Sequence, residues 1–146
     1  HAELPLGLRH PVASLLAMAL TASGQDADAW DMVLEGISGT ISLGMVATLA
    51  RSIEALALLA SNAGDAVAAA RLLGFALQQH AAGRQRLGPR EVVYQRLRRA
   101  LAQALTEAER DRLTAKGAAW TEAEAAAAAL RVHERAAASK EGAPAS

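Results

Sequence analysis

The chain contains 146 residues, a length that suits one domain, and it combines 52% hydrophobic residues with only 3% aromatic ones. It has no cysteine, which excludes disulfides and thiolate metal sites. The formal net charge is zero, but acids outnumber bases up to residue 70 and bases outnumber acids beyond it. Alanine supplies much of the apolar content and has the highest helix propensity, whereas strand patterns are scarce. The composition therefore predicts an all-α fold.

Helical periodicity, capping residues and glycine stops predict six or seven helices. In chain order these helices begin near Pro11, Asp26, Ser42, Ala66, Pro89, Thr106 and Thr121. Residues 36–44 contain three glycines and are predicted to form a loop. We assign residues 1–9 to an N-terminal extension and residues 10–136 to one helical domain. Residues 137–146 are predicted to be a disordered tail, because they have no periodic apolar face.

A weak internal repeat relates the first two pairs of predicted helices. Displacing the sequence by forty positions superposes Gly24 on Gly64 and Ala29 on Ala69. Each unit comprises a helix, a glycine-containing turn and a second helix with alanine near its start. Because one hairpin cannot bury both of its faces, neighbouring hairpins are expected to stack. The pattern predicts antiparallel helical hairpins in a right-handed array of the tetratricopeptide type; the alternative is coincidence among Ala/Leu-rich helices.

Two segments of the chain resemble a known family. Residues 49–57 and the run Ala68-Ala69-Ala70-Arg71-Leu72-Leu73-Gly74 are similar to the C-terminal helical region of actinobacterial-type regulators, namely LuxR-family and cyclase-linked ATPase regulators. The similarity continues to the closing segment Thr121-Glu122-Ala123-Glu124-Ala125. It implies a tetratricopeptide-like region that follows an ATPase core and regulates a catalytic or DNA-binding part elsewhere in the parent chain.

The chain departs from this family in the penultimate helix. Arg110 and Thr114 stand where the family has an aromatic residue and a tryptophan ahead of a glycine, here Gly117. The DNA-binding helix-turn-helix that commonly follows this region in the family has no counterpart in the sequence. We therefore expect a regulatory scaffold without a direct role in DNA binding.

No constellation of catalytic residues is evident in the sequence. It lacks both a phosphate-binding glycine pattern followed by Lys-Ser/Thr and a Gly-x-Ser-x-Gly nucleophile elbow. The four histidines have no metal-ligand spacing such as i, i+4. The acids at the start of the second helix are explained by the helix dipole. We predict that the chain is not an enzyme and uses no cofactor or metal.

Arginines form the sharpest positive feature, comprising Arg71, Arg84, Arg86, Arg90, Arg96, Arg98 and Arg99. Guanidinium groups suit carboxylate or phosphate partners. A nucleic-acid site would add aromatic stacking or a reading helix, and only one tyrosine is available, so the pattern argues against nucleic acid as the partner. A solvated charged face is the alternative. The candidate partner-binding residues are Arg90, Tyr94, Arg96, Arg98 and Arg99.

The sequence thus favours a non-catalytic protein-interaction module of a larger bacterial signalling or transcriptional regulator. Its partner would be another protein or the rest of its own parent chain, and a homodimer is a further alternative. Because the sequence does not begin with methionine, we expect it to be a piece of a longer chain or a processed product. No segment reaches the roughly 18–20 uncharged apolar residues of a membrane span, and a cytoplasmic location is expected. The alternative is a small-molecule sensor whose apolar effector contacts Met18, Met32, Met45 and Trp30.

Overall fold

A computed structural model describes residues 6–37, 46–79 and 88–142, with side chains described for 12–37, 48–79 and 88–138. These ranges contain seven α-helices and no strand, which confirms the all-α class. The helices are α1 (Leu6–Ala22), α2 (Asp26–Ile37), α3 (Val46–Asn62), α4 (Ala66–Gln79), α5 (Pro89–Ala104), α6 (Glu107–Ala118) and α7 (Glu122–Gly142).

Both outer helices are longer than the sequence predicted. Helix α1 begins at Leu6, so part of the predicted extension is helical; the added turn contains leucine, a good helix former. Helix α7 continues to Gly142, which corrects the predicted disordered tail for residues 137–142. Alanine, lysine and glutamate favour helix there, and the helix ends two residues ahead of Pro144. Residues 143–146, and the predicted loop from residue 38 onward, lie outside the described residues.

Helices α1 and α2 form one hairpin, and α3 and α4 form a second hairpin with the same turn. Gly24 and Gly64 both adopt the left-handed conformation, at φ of +80° and +93°. The amide of the residue after each glycine donates to a carbonyl five residues earlier, at 2.9 Å in both hairpins. This is the glycine-terminated helix end in which a carbonyl of the last turn regains a donor. The two units therefore share their local structure as well as their spacing in the sequence.

Helix α3 is the centre of the molecule. It contacts α1, α2, α4, α5 and α7, and every side chain from residue 52 to residue 60 is buried. Leucine and isoleucine side chains of α3 pack into one core cluster with Val33 of α2, Leu72 of α4 and Leu97 of α5. Helix α3 is apolar around nearly its whole circumference, as expected for a helix that its neighbours enclose on all sides.

The last three helices do not extend the series of hairpins. Helix α5 packs on α1 and α3, whereas α6 packs along α4 and makes few contacts with α5. Helix α7 crosses α2, α3 and α4. The link between α5 and α6 has no glycine: Leu105 is extended, at φ −131° and ψ 150°, and Thr106 caps α6. This extended link directs α6 away from α5, and the two helices diverge.

Candidate functional site

The five arginine and tyrosine residues selected from the sequence lie on α5, and the structure places them in different environments. Arg90 is the most buried of its four arginines: its Nη2 atom lies 3.2 Å from Oε2 of Glu54 on α3. The side chain of Glu54 is completely buried and that of Arg90 is 18% exposed. Arg90 is thus an internal partner of α3 and is largely withdrawn from solvent.

Arg96 joins α5 to the first hairpin. Its Nη1 atom donates to the carbonyl oxygen of Ala22, the last residue of α1, at 2.7 Å. A guanidinium group at a helix C-terminus satisfies a carbonyl that has no partner within the helix and opposes the negative end of the helix dipole. Arg96 therefore also has an internal role, although its side chain is exposed.

Tyr94, Arg98 and Arg99 line a groove between α5 and α6, above α4. The groove has a volume of about 550 Å³. We call it the arginine groove and define it by its lining residues, which are Leu73, Leu77, Tyr94, Gln95, Arg98, Arg99, Leu101, Ala102, Glu107, Arg110, Asp111 and Thr114. The structure thus brings three of the five predicted residues together at one concave surface.

The arginine groove has an apolar floor and charged walls. Leu73 and Leu77 of α4 lie one helical turn apart at its base. The α5 wall carries two arginines and no acid, and the guanidinium carbon of Arg98 lies 5.6 Å from the ring centroid of Tyr94. This separation is within the range of a cation–π contact. The α6 wall combines a third arginine with two acids, Glu107 and Asp111.

Three guanidinium groups of the groove are available to a ligand. Among the described residues, no ion pair joins Arg98, Arg99 or Arg110 to an acid. Arg110 was not among the predicted site residues, because it lies on a different helix and the sequence alone does not place α6 beside α5. Arg84 and Arg86, members of the predicted cluster, lie outside the described residues.

Two glycines set the position of the α6 wall. A Cβ atom at Gly74 of α4 would overlap the backbone of Thr114, and one at Gly117 of α6 would overlap the carbonyl of Arg71. The backbones of α4 and α6 are therefore in direct contact at two points, which only glycine permits. The sequence contained both glycines, but without tertiary contacts nothing distinguished them from glycines that end helices.

Glu54 is a buried charge whose role the sequence did not predict. In the sequence it is the only charged residue between Arg51 and Asp65. In the structure it is one of the largest completely buried side chains, and its recorded ion pair is with Arg90. A single acid inside an apolar helix was the available signal, since a buried carboxylate requires a cationic or hydrogen-bonding partner.

The residues proposed for a small-molecule sensor occupy separate surroundings. Met18 is 2% exposed within the core, and Met32 packs partly against the core. Trp30 lines a cleft of about 300 Å³ between α2 and α7, to which neither methionine contributes. There its ring meets that of His133 edge-on, with centroids 5.7 Å apart. Met45 lies outside the described residues.

His133 is held by α2 through its ring nitrogen. Its Nε2 atom lies 3.1 Å from the carbonyl oxygen of Trp30, so Nε2 is the protonated donor in this contact. Within the described ranges, no group of three or more potential metal ligands is assembled. None of the described helices is both long enough and apolar enough to cross a membrane.

No similarity to a known protein indicates a function for this chain. No protein-family model matches the chain, and no curated protein or solved structure is detectably similar to it. The resemblance to bacterial ATPase-linked regulators therefore depends on the sequence segments quoted above.

Proposed function

We propose that the chain is a non-catalytic protein-interaction module that binds a segment of a protein partner in the arginine groove. The observation that supports this proposal is the groove itself, where three guanidinium groups without ion-pair partners among the described residues surround an apolar floor. A concave surface that combines apolar area with a few directed polar groups is typical of binding sites. The partner is another protein or a further part of the parent chain.

The regulatory part of the proposal derives from the sequence. The resemblance to the helical region of LuxR-family and cyclase-linked ATPase regulators suggests that binding in the groove controls an activity located elsewhere in a larger cytoplasmic protein. The arginine groove would then be the surface through which this helical domain senses a partner. A small-molecule sensor remains the alternative hypothesis, and the Trp30–His133 cleft is a concave feature that contains one of its predicted residues, Trp30.

A peptide selection tests the proposed function. A random library of about sixteen-residue peptides, long enough for roughly four helical turns, would be displayed on phage and selected against the intact chain. We expect an enriched pool whose binding changes at least about tenfold, in either direction, in an Arg98→Glu/Arg110→Glu variant, because reversing two charges of the groove changes its electrostatic complementarity to a ligand.

Arg112→Glu provides the matched control for this variant. Arg112 is exposed on α6 but does not line the groove, so its reversal changes the charge of the same helix and should leave binding unchanged. A selection that enriches no peptide, or peptides that bind the groove variant and the wild-type chain equally, would contradict the proposed function.

A further inference from the structure

We infer that the ligand of the arginine groove is an amphipathic α-helix with acidic residues along one flank. This inference depends on the proposed function, because it specifies the partner of the same groove. It follows from four properties of the described residues, which are the pattern of the walls, the hydrogen-bonding state of their backbone groups, the apolar floor and the distribution of charge.

The lining residues show that the groove follows helical surfaces for about two turns. On α5 they occupy positions 94, 95, 98, 99, 101 and 102, and on α6 positions 107, 110, 111 and 114. Both sets have the spacing of one helix face. At about 1.5 Å per residue each wall is about 10–12 Å long. The ligand therefore needs only two or three helical turns to contact the whole groove.

The backbone groups of the walls favour a helical ligand over an extended one. The floor and both walls are α-helices, in which interior amide and carbonyl groups already pair within the helix. An extended peptide would find no strand edge here with which to pair its own backbone groups, and burying them unpaired is costly. A helical ligand satisfies its own backbone and can place side chains between those of α5 and α6.

The floor determines what the ligand's buried face must be. Leu77 of α4 is partly exposed at the floor, whereas Leu73, one turn earlier, and Leu101 of α5 are 5% and 2% exposed and lie beneath it. Apolar ligand side chains at i, i+3, i+4 and i+7 spacing would cover Leu77. The Tyr94 ring, which is partly buried beside these leucines, extends the apolar surface toward the wall.

Charge determines which flank of the ligand faces which wall. The α5 wall presents Arg98 and Arg99 without an acid, whereas Arg110 on the α6 wall has Glu107 and Asp111 beside it. Ligand carboxylates should therefore lie toward α5, where guanidinium groups can bind them in forked geometry. The flank toward α6 can carry residues of either sign. A nucleic acid fits this arrangement poorly, because two acids stand at the groove.

The composition of the selected peptides tests this inference separately from the proposed function. Among groove-dependent peptides we expect apolar residues with helical spacing, Asp or Glu enriched on one flank, and a gain of helical circular dichroism on binding. Groove-dependent peptides that are basic, or that bind without becoming helical, would overturn the inference while leaving the proposed function intact. Failure to select any groove-dependent peptide would overturn both.

A charge exchange gives the sharper second measurement. For the tightest selected peptide, replacing the acids of its acidic flank with lysine should weaken binding to the wild-type chain at least about tenfold. Arg98→Glu/Arg99→Glu should restore binding of the lysine peptide, whereas Arg112→Glu should not. If Arg98→Glu/Arg99→Glu does not restore binding of the lysine peptide, the predicted orientation of the acidic flank toward α5 is overturned. If only an oligonucleotide, and no peptide, competes for the groove, the groove is assigned to nucleic acid instead.

Discussion

The hairpins α1–α2 and α3–α4 have the same turn but very different surroundings. Leu15 and Leu16 of α1 are 55% and 48% exposed, whereas the residues forty positions later, Ala55 and Leu56 of α3, are completely buried. The turn is set by local pattern, through a left-handed glycine and one short hydrogen-bonding network. Burial is set by position, because α3 contacts five other described helices, α7 among them, whereas α1 contacts α2, α3 and α5 and leaves Leu15 and Leu16 open.

In the pair α5–α6 the local helix signals are equally clear, but the two helices do not pack together as a hairpin. Its helices are as well defined by sequence as those of the hairpins, with a proline start at Pro89 and a capping box at Thr106. Their link has no left-handed glycine, however, and the helices pack on other partners. In this molecule, helices joined by a glycine turn pack together as hairpins. Helices α5 and α6 are joined by a capped, extended link, and they diverge and leave the arginine groove between them.

The largest expected effect comes from removing the acid that holds α5 on α3. Glu54→Leu would leave Arg90 buried without a counter-charge, and breaking such a pair costs about 3–5 kcal/mol. Chemical denaturation followed by circular dichroism would measure the free energy of unfolding. Because α1 has Ser14 at the equivalent position, this ion pair is a property of the second hairpin alone.

A double substitution identifies the cause of that loss. Glu54→Leu combined with Arg90→Met removes both charges and should recover most of the stability, since a buried pair can often be replaced by apolar residues. Equal destabilisation of the single and double variants would show that the loss arises from packing around position 54 and not from an uncompensated charge.

A matched pair of leucine truncations tests the difference in burial directly. Leu56→Ala removes a completely buried side chain and should cost about 2–5 kcal/mol. Leu16→Ala, at the equivalent position of α1, removes a half-exposed side chain and should change the free energy of unfolding by no more than about 0.5 kcal/mol. Similar losses in the two variants, measured by urea titration, would contradict the arrangement in which α3 is central and α1 peripheral.

The smallest effect concerns the link between α5 and α6. The Thr106 side chain accepts from the Glu109 amide, and the Glu109 carboxylate accepts from the Thr106 amide, both at 3.1 Å. The backbone and side-chain hydrogen bonds with Thr106 lower the pKa of Glu109. Thr106→Ala should reduce stability by about 1 kcal/mol and move the pKa of Glu109 toward its ordinary value, as followed by NMR titration.

The sign of the pH dependence follows from that lowered pKa. A carboxyl group whose pKa is lower in the folded chain than in the unfolded chain stabilises the fold at pH values above its unfolded pKa. This contribution is lost as the pH falls through its folded pKa. The difference in the free energy of unfolding between the wild-type chain and Thr106→Ala should therefore shrink as the pH is lowered through the folded pKa of Glu109. A difference that does not vary with pH would show that the Glu109 carboxylate does not contribute to the cap.

The capping residues predicted much of the secondary structure correctly. Thr106 and Thr121 both form reciprocal capping boxes, with Glu109 and Glu124 respectively. Such signals act within four residues and need no information about the rest of the fold. The predicted bounds of the two outer helices were wrong, since α1 already begins at Leu6 and α7 continues to Gly142. Residues with high helix propensity occupy both added segments.

The candidate site was predicted only in part, for a reason that its residues make clear. Tyr94, Arg98 and Arg99 were selected because they are close in sequence, and they do line one groove. Arg90 was selected on the same ground but pairs with Glu54, because it lies in the first turn of α5, about two turns before Arg98, where α5 packs on α3. Arg110 was missed, because α6 reaches the groove through its contact with α4.

The sequence alone determined the helical class, the glycine turns, the capped helix starts and the forty-residue relation between the first two hairpins, because each depends on short-range geometry and propensity. Only the tertiary structure decided which hairpin is buried, which arginines are withdrawn from solvent, and that α5 and α6 diverge. These features depend on packing between distant segments, where backbone contact at Gly74 and Gly117 and the Glu54–Arg90 pair fix the helices in place.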